Sequence, residues 1–139
     1  MRKKIEKFTH SWSNWTPHVL SLLRIMSALL VLQHGTAKIL KFPYNPNYDN
    51  LPIFGLIWFA GMLELVFGSL LAVGLFTRVA AFVLSGEMAF AYFIGHAPRH
   101  FVPILNNGNL AVLYCIVFFY LAFAGPGPWS VDAMKSSRR

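Results

Sequence analysis

The sequence predicts an all-α membrane protein, a bundle of four transmembrane helices with both termini in the cytoplasm. Three observations carry that prediction. Of 139 residues, 56% are hydrophobic and only 12% charged, with a mean hydropathy of +0.53. A soluble domain of this size needs more polar surface than that. Four apolar segments reach or approach the ~20 residues that cross a hydrocarbon core. The stretches between them are rich in proline, glycine and asparagine, which break helices.

Each element follows in turn. Residues 1–17 open with "MRKKIEKFTHSW", a basic lead-in with a weak interfacial pattern. The apolar run after it is too long for a signal peptide and lacks a small-x-small cleavage site. It reads as an uncleaved first span, His18 to Leu40, with Pro17 suited to its start. "KFPYNPNYDNLP" then leads to a second span, Ile53 to Leu75. "FTR" is a tight link to the third, Arg78 to Ala97, and "APRHFVPILNNG" leads to the fourth, Asn109 to Ala124, which is short. "GPGPW" stops the last helix, because proline cannot continue it. The membrane domain is thus 18–128, and 129–139 is a basic cytoplasmic tail.

The charges set the orientation. Arg2, Lys3, Lys4, Lys7, Arg78, Lys135, Arg138 and Arg139 fall on one side, and Lys38, Lys41 and Arg99 on the other. The richer side is cytoplasmic. This placement beside apolar segments accounts for the net charge of +7 and argues against nucleic-acid binding. Trp12, Trp15, Trp58 and Trp129 lie mostly near the expected interfaces, as an aromatic belt would. One cysteine, Cys115, excludes an internal disulfide and a two-thiol relay.

The polar residues inside the spans carry the functional signal. At about 100° per residue, Arg24, Ser27, Ala28, Val31, His34, Gly35 and Lys38 share a stripe of about 120° on span one. Ionisable groups in a span face the bundle or a wet cavity, so this stripe is the inner face. Span two aligns Gly61, Glu64, Gly68 and Ala72, small residues that permit close helix contact. A carboxylate near the midplane needs a cation or a proton, and Arg24 is the expected partner of Glu64. Span three aligns Ser85, Met88, Tyr92 and His96, with Glu87 pointing away from that stripe. His34 and His96, with Lys38, Arg99, His100, Asn106, Asn107 and Asn109, are expected to form one polar, basic outer end over a drier floor of Arg24 and Glu64.

A quinone fits this residue set better than a metal or haem b. The ring is apolar with two carbonyl oxygens, and it wants a hydrophobic cleft with one or two donors. His34, Lys38, Tyr92 and His96 are donors, while Met88 and phenylalanines supply the cleft. Histidine can also pass a proton. The histidines lack the spacing and acidic neighbours of a metal site, and there is no glycine-rich phosphate loop. No electron donor is encoded, so a redox role requires a protein partner or a soluble reductant.

These residues resemble the DoxX family of small bacterial membrane proteins. The resemblance covers roughly Leu22 to Asp132. It rests on "LLRIMSALLVLQHGTAKIL", "GMLELVFGSLLAVGLFTRVAA", "GEMAFAYFIGH" and "NNGNLAVLYCIVFFYLAFAGPGPWSVD", in that order and spacing. It implies four helices in the inner membrane and an oxidoreductase-linked role. One branch looks like the membrane subunit of a thiosulfate:quinone oxidoreductase, and other members are tied to redox-stress assemblies. The family often carries Asn-Gly-Gly-Glu where this chain has Asn106-Asn107-Gly108-Asn109, which puts an amide in place of an acid at the mouth of span four.

The expected function is therefore a redox-linked membrane subunit. His34 and His96 would bind or protonate the ring oxygens. Lys38 would add positive charge, Met88 and Tyr92 would contact the ring, and Arg24 and Glu64 would hold the floor. Two alternatives use other features: a non-enzymatic membrane partner that scaffolds or helps assemble another protein through its bundle face and basic cytoplasmic ends, favoured by Glu87, and a small-anion transporter using the basic outer mouth, which with so few spans would need a homo-oligomer.

Overall fold

The computed structural model describes Met1 and residues 12–138. The basic lead-in at residues 2–11, with its interfacial pattern, lies outside the described residues. Helix α1 runs Thr16–Ile39, α2 Leu56–Val73, α3 Thr77–Phe90, α4 Pro103–Asn106, α5 Asn109–Ala124 and α6 Val131–Ser136. A π-helical segment, Ala91–His96, extends α3. Its wider winding shows in the Ala97 N–H, which donates to the Tyr92 carbonyl five residues back (2.8 Å).

Among the described residues, three helices are long and apolar enough to cross a membrane: Thr16–Ile39, Leu56–Val73 and Thr77–His96. Asn109–Ala124 is equally apolar in character but shorter, at 16 residues. The fold is thus an all-α, multi-span membrane bundle. Its outer surface is what a lipid-facing bundle requires: Leu22, Phe82, Leu113, Ile116 and Phe123 are all exposed.

α1 packs chiefly on α2, and α3 on α5, while the α2–α3 contact joins the two hairpins. Glycines set the first pairing. A Cβ on Gly35 would meet the Leu65 nitrogen at 2.6 Å and the Gly61 oxygen at 3.0 Å. Gly61 lies against Lys38, Gly68 against Val31 and Leu32, and Gly74 against Arg24. Small residues thus let the two backbones touch and fix one antiparallel register. Between the hairpins, Val31, Leu71, Leu84, Met88, Tyr114, Phe118 and Leu121 form the buried core.

The α2–α3 turn is built by left-handed residues. Gly74 at φ 71° ends α2, with the Leu75 N–H reaching back to the Leu70 carbonyl (2.9 Å), a Schellman-type stop. Phe76 follows at φ 50°. Asp132 of α6 then caps α3 from outside, accepting from the N–H groups of Phe76 (3.1 Å) and Thr77 (2.9 Å). These free N–H groups would otherwise be orphaned at the helix start.

Candidate functional site

The inward stripe of α1 is real, but its partners differ from the sequence expectation. Lys38, not Arg24, meets Glu64. The Lys38 Nζ lies 2.7 Å from both Glu64 carboxylate oxygens, and the two side chains are 11% and 4% exposed. The register explains the correction. Gly35 sits against the Glu64–Leu65 peptide, so Lys38 is within one turn of Glu64. Arg24 lies eleven residues from that level, roughly 16 Å along the helix.

Arg24 serves the opposite end. It is fully buried, and its guanidinium donates to four main-chain carbonyls. Nη1 bonds Leu71 (2.5 Å) and Ala72 (2.7 Å), Nε bonds Pro126 (2.8 Å) and Nη2 bonds Trp129 (2.5 Å). The first two are last-turn carbonyls of α2, where unpaired oxygens and the helix dipole favour a cation. The other two belong to the "GPGPW" segment. Arg24 therefore ties the C-terminus of α2 to the chain after α5, with no donor turned toward Glu64.

His34 stands one turn before Lys38 and is half-buried. It lines a cavity of about 410 Å³ together with Gln33 and Ala37 of α1 and with residues 43–46 and Tyr48 of the following connection. That connection is shaped by its own bonds. Asn45 accepts from the Asn47 N–H (3.0 Å), starting the short 3₁₀ turn Pro46–Tyr48. Lys41 holds the Tyr48 carbonyl. The Tyr44 hydroxyl donates to Asp49 (2.6 Å), and that bond, with the charge of the carboxylate, pushes the phenol above its ordinary range. Lys38 reaches the cavity wall, with its ammonium 6.0 Å from the centre of the Tyr48 ring. Among the described residues no protein group hydrogen-bonds the His34 ring.

His96 occupies a different setting. It ends the π-helical segment, and its Nδ1 is 3.0 Å from the Asn106 carbonyl oxygen. The Tyr92 ring stacks at 6.5 Å, and the Tyr92 hydroxyl donates to the Phe101 carbonyl. Asn106 is buried and holds this corner, donating to His100 O (2.5 Å) and accepting from the Gly108 N–H (2.7 Å). Met88 lies in the apolar core beside Tyr114 and Phe118. None of His96, Tyr92 and Met88 lines the His34 cavity. Residues of the 42–52 connection line the cavity beside His34, while His96 meets Asn106 of α4.

The wall of that cavity is what sequence reasoning missed. Tyr44, Asn45 and Tyr48 sit in "KFPYNPNYDNLP", whose prolines and asparagines signalled turns. Its two tyrosines, spaced around a proline turn, were the available sign of a built wall rather than a plain linker.

One family model and two relatives match the chain. The DoxX family model matches residues 19–97. An uncharacterized protein of Haemophilus influenzae is 43% identical over 122 residues, covering 85% of this chain and 91% of that one. An uncharacterized membrane protein of Mycobacterium tuberculosis is 29% identical over 136 residues, covering 84% of this chain and 80% of its own length. No solved structure matches.

Proposed function

Because the chain belongs to the DoxX family of bacterial inner-membrane proteins, we propose that it is a redox-linked membrane subunit that takes a quinone or similar apolar ring into the cavity lined by His34. The observation that carries this reading is the cavity itself. Its volume, about 410 Å³, falls in the range of small-molecule sites. Tyrosines and prolines give it ring faces, and Gln33, His34 and Asn45 give it polar groups.

The donor set fits such a ring. Among the described residues no protein group competes for the His34 nitrogens, so it can donate to a ring oxygen and hold or pass a proton there. Gln33 offers a second N–H. Tyr44, held by Asp49, and Tyr48, held by Lys41, orient the ring faces. Lys38 contributes positive charge beneath the site while remaining bonded to Glu64. When bound, the ring supplies two-electron, two-proton chemistry, and the reductant comes from a partner protein or a soluble donor. His96 stands apart as a corner residue bonded to Asn106, and Arg24 as a tie at the far end.

The topology in this reading has four crossings, with Asn109–Ala124 as a short fourth span. Both termini are cytoplasmic, and the His34 cavity opens in the outer half of the bilayer. The basic residues of the terminal end support this orientation.

Quinone content of the protein purified in native nanodiscs tests the proposal. Extraction and mass spectrometry should find a stoichiometric quinone that His34→Ala removes and His96→Ala retains. Retention in His34→Ala, or absence of any quinone with a normal lipid complement, sinks the assignment.

A further inference from the structure

The Lys38–Glu64 pair has a third neighbour. Glu87 of α3 is only 8% exposed, and its Oε2 is buried with no hydrogen-bond partner. It lies within the electrostatic fields of Glu64 and Lys38. Among the described residues, the charged and titratable groups facing this region are few. α1 contributes Lys38, with His34 one turn away, α2 contributes Glu64, and α5 contributes Tyr114, which feels Glu64. Ser85 of α3 itself directs its hydroxyl to the Cys115 carbonyl (2.8 Å). Lys38 is the one cation among them, and it is bonded to both oxygens of Glu64.

Two carboxylates and one ammonium carry a formal charge of minus one. In a membrane interior such an uncompensated charge is expensive, and a proton is the smallest ligand that removes it. Glu64 has its cation, whereas Glu87 has none. We propose that Lys38, Glu64 and Glu87 form a proton-holding site inside the bundle, with one proton carried on Glu87. Uptake adds one proton from water to a Glu87 carboxylate oxygen. The cluster goes from minus one to neutral, and no electrons move. The site exists whether or not a ring occupies the His34 cavity.

Lys38 links the two. Its ammonium lies beside the Tyr48 ring of the cavity wall as well as on Glu64. Withdrawing it from Glu64 leaves a second carboxylate without its cation and draws in a second proton.

Infrared spectroscopy of the full chain in lipid nanodiscs, without added quinone, tests this. Glutamate labelled with ¹³C at the side-chain carboxyl isolates Glu6, Glu64 and Glu87 from the aspartates. A labelled, deuterium-sensitive protonated-carboxyl band is expected at neutral pH. It should persist in Glu6→Gln and vanish in Glu87→Gln. In Lys38→Met its area should rise about twofold as Glu64 takes its own proton. Should Glu87→Gln fail to fold, Glu87→Asp serves instead: the labelled band should give way to an unlabelled one. No band in the wild type, a band unchanged by Glu87→Gln in folded protein, or no growth in Lys38→Met overturns the proposal.

Discussion

Lys38 grips both carboxylate oxygens of Glu64 at 2.7 Å, joining α1 to α2 at the level where Gly35 lets the two backbones touch. Both side chains are nearly sealed from outside the protein, so each depends on the other. Glu64→Leu should therefore lower unfolding stability by about 1–3 kcal/mol, because Lys38 loses its two close hydrogen bonds and keeps only the more distant Glu87 to balance its charge. Lys38→Met should cost less where Glu64 can take a proton. The double variant should recover most of the loss. Denaturant or thermal unfolding of the four proteins in one lipid system checks the cycle, and simple additivity would mean that the pair is not coupled.

Gly35 bears on the same contact. An added methyl there meets main-chain atoms of α2 rather than a flexible side chain. Gly35→Ala should force the helices apart and destabilise by about 1–3 kcal/mol, whereas Gly86→Ala, with open space around it, should be near neutral or mildly stabilising. Thermal stability of the two variants, measured side by side, tests whether contact rather than helix propensity rules.

Asp132 makes the terminal end pH-sensitive. Burial alone would raise its carboxyl, but the N–H bonds from Thr77 and Phe76 and the nearby Lys135 outweigh it and hold the group below its usual range. The ionised form is thus favoured by folding. Its contribution is complete above the unfolded value of about 3.9 and disappears as pH falls through the lower folded value. Asp132→Asn should lose about 0.5–2 kcal/mol at neutral pH and flatten this part of the acid limb. A pH series of unfolding midpoints for both proteins reads it directly.

The crossing number is open to chemical labelling. In a Cys115→Ser background, Leu105→Cys should react with an impermeant maleimide in intact spheroplasts. Ser137→Cys should react only after lysis. Reaction of both from outside would remove Asn109–Ala124 as a membrane crossing.

Periodicity made much of this legible. Placing Arg24, His34 and Lys38 on one inner stripe needed only the 100° step, and Gly61, Glu64 and Gly68 appeared as a contact face for the same reason. What it could not supply was depth. Arg24 and Lys38 share an azimuth, so either could have met Glu64; the choice depends on how far α2 slides along α1. That slide is set by Gly35 against Gly61 and Leu65, a steric fit between two backbones that no single-helix pattern encodes. Glu87 was read as turned away from the inner stripe of α3, yet it is buried, because α3 packs on both α2 and α5 and so has more than one inner face. The cavity wall was hidden for another reason. It belongs to a loop, and loop geometry follows from individual bonds such as Asn45 to Asn47 rather than from a repeat.

The bonds of Arg24 also impose an order on biogenesis. Two of its acceptors, Leu71 and Ala72, are made soon after it, but Pro126 and Trp129 follow 102 and 105 residues later. At ordinary synthesis rates of about 5–20 residues per second, the first helix waits roughly 5–20 s with its guanidinium half satisfied. The set is completed only when Pro126 and Trp129 have been made. A nascent chain interrupted before Pro126 holds a buried arginine with two of its four carbonyl acceptors missing.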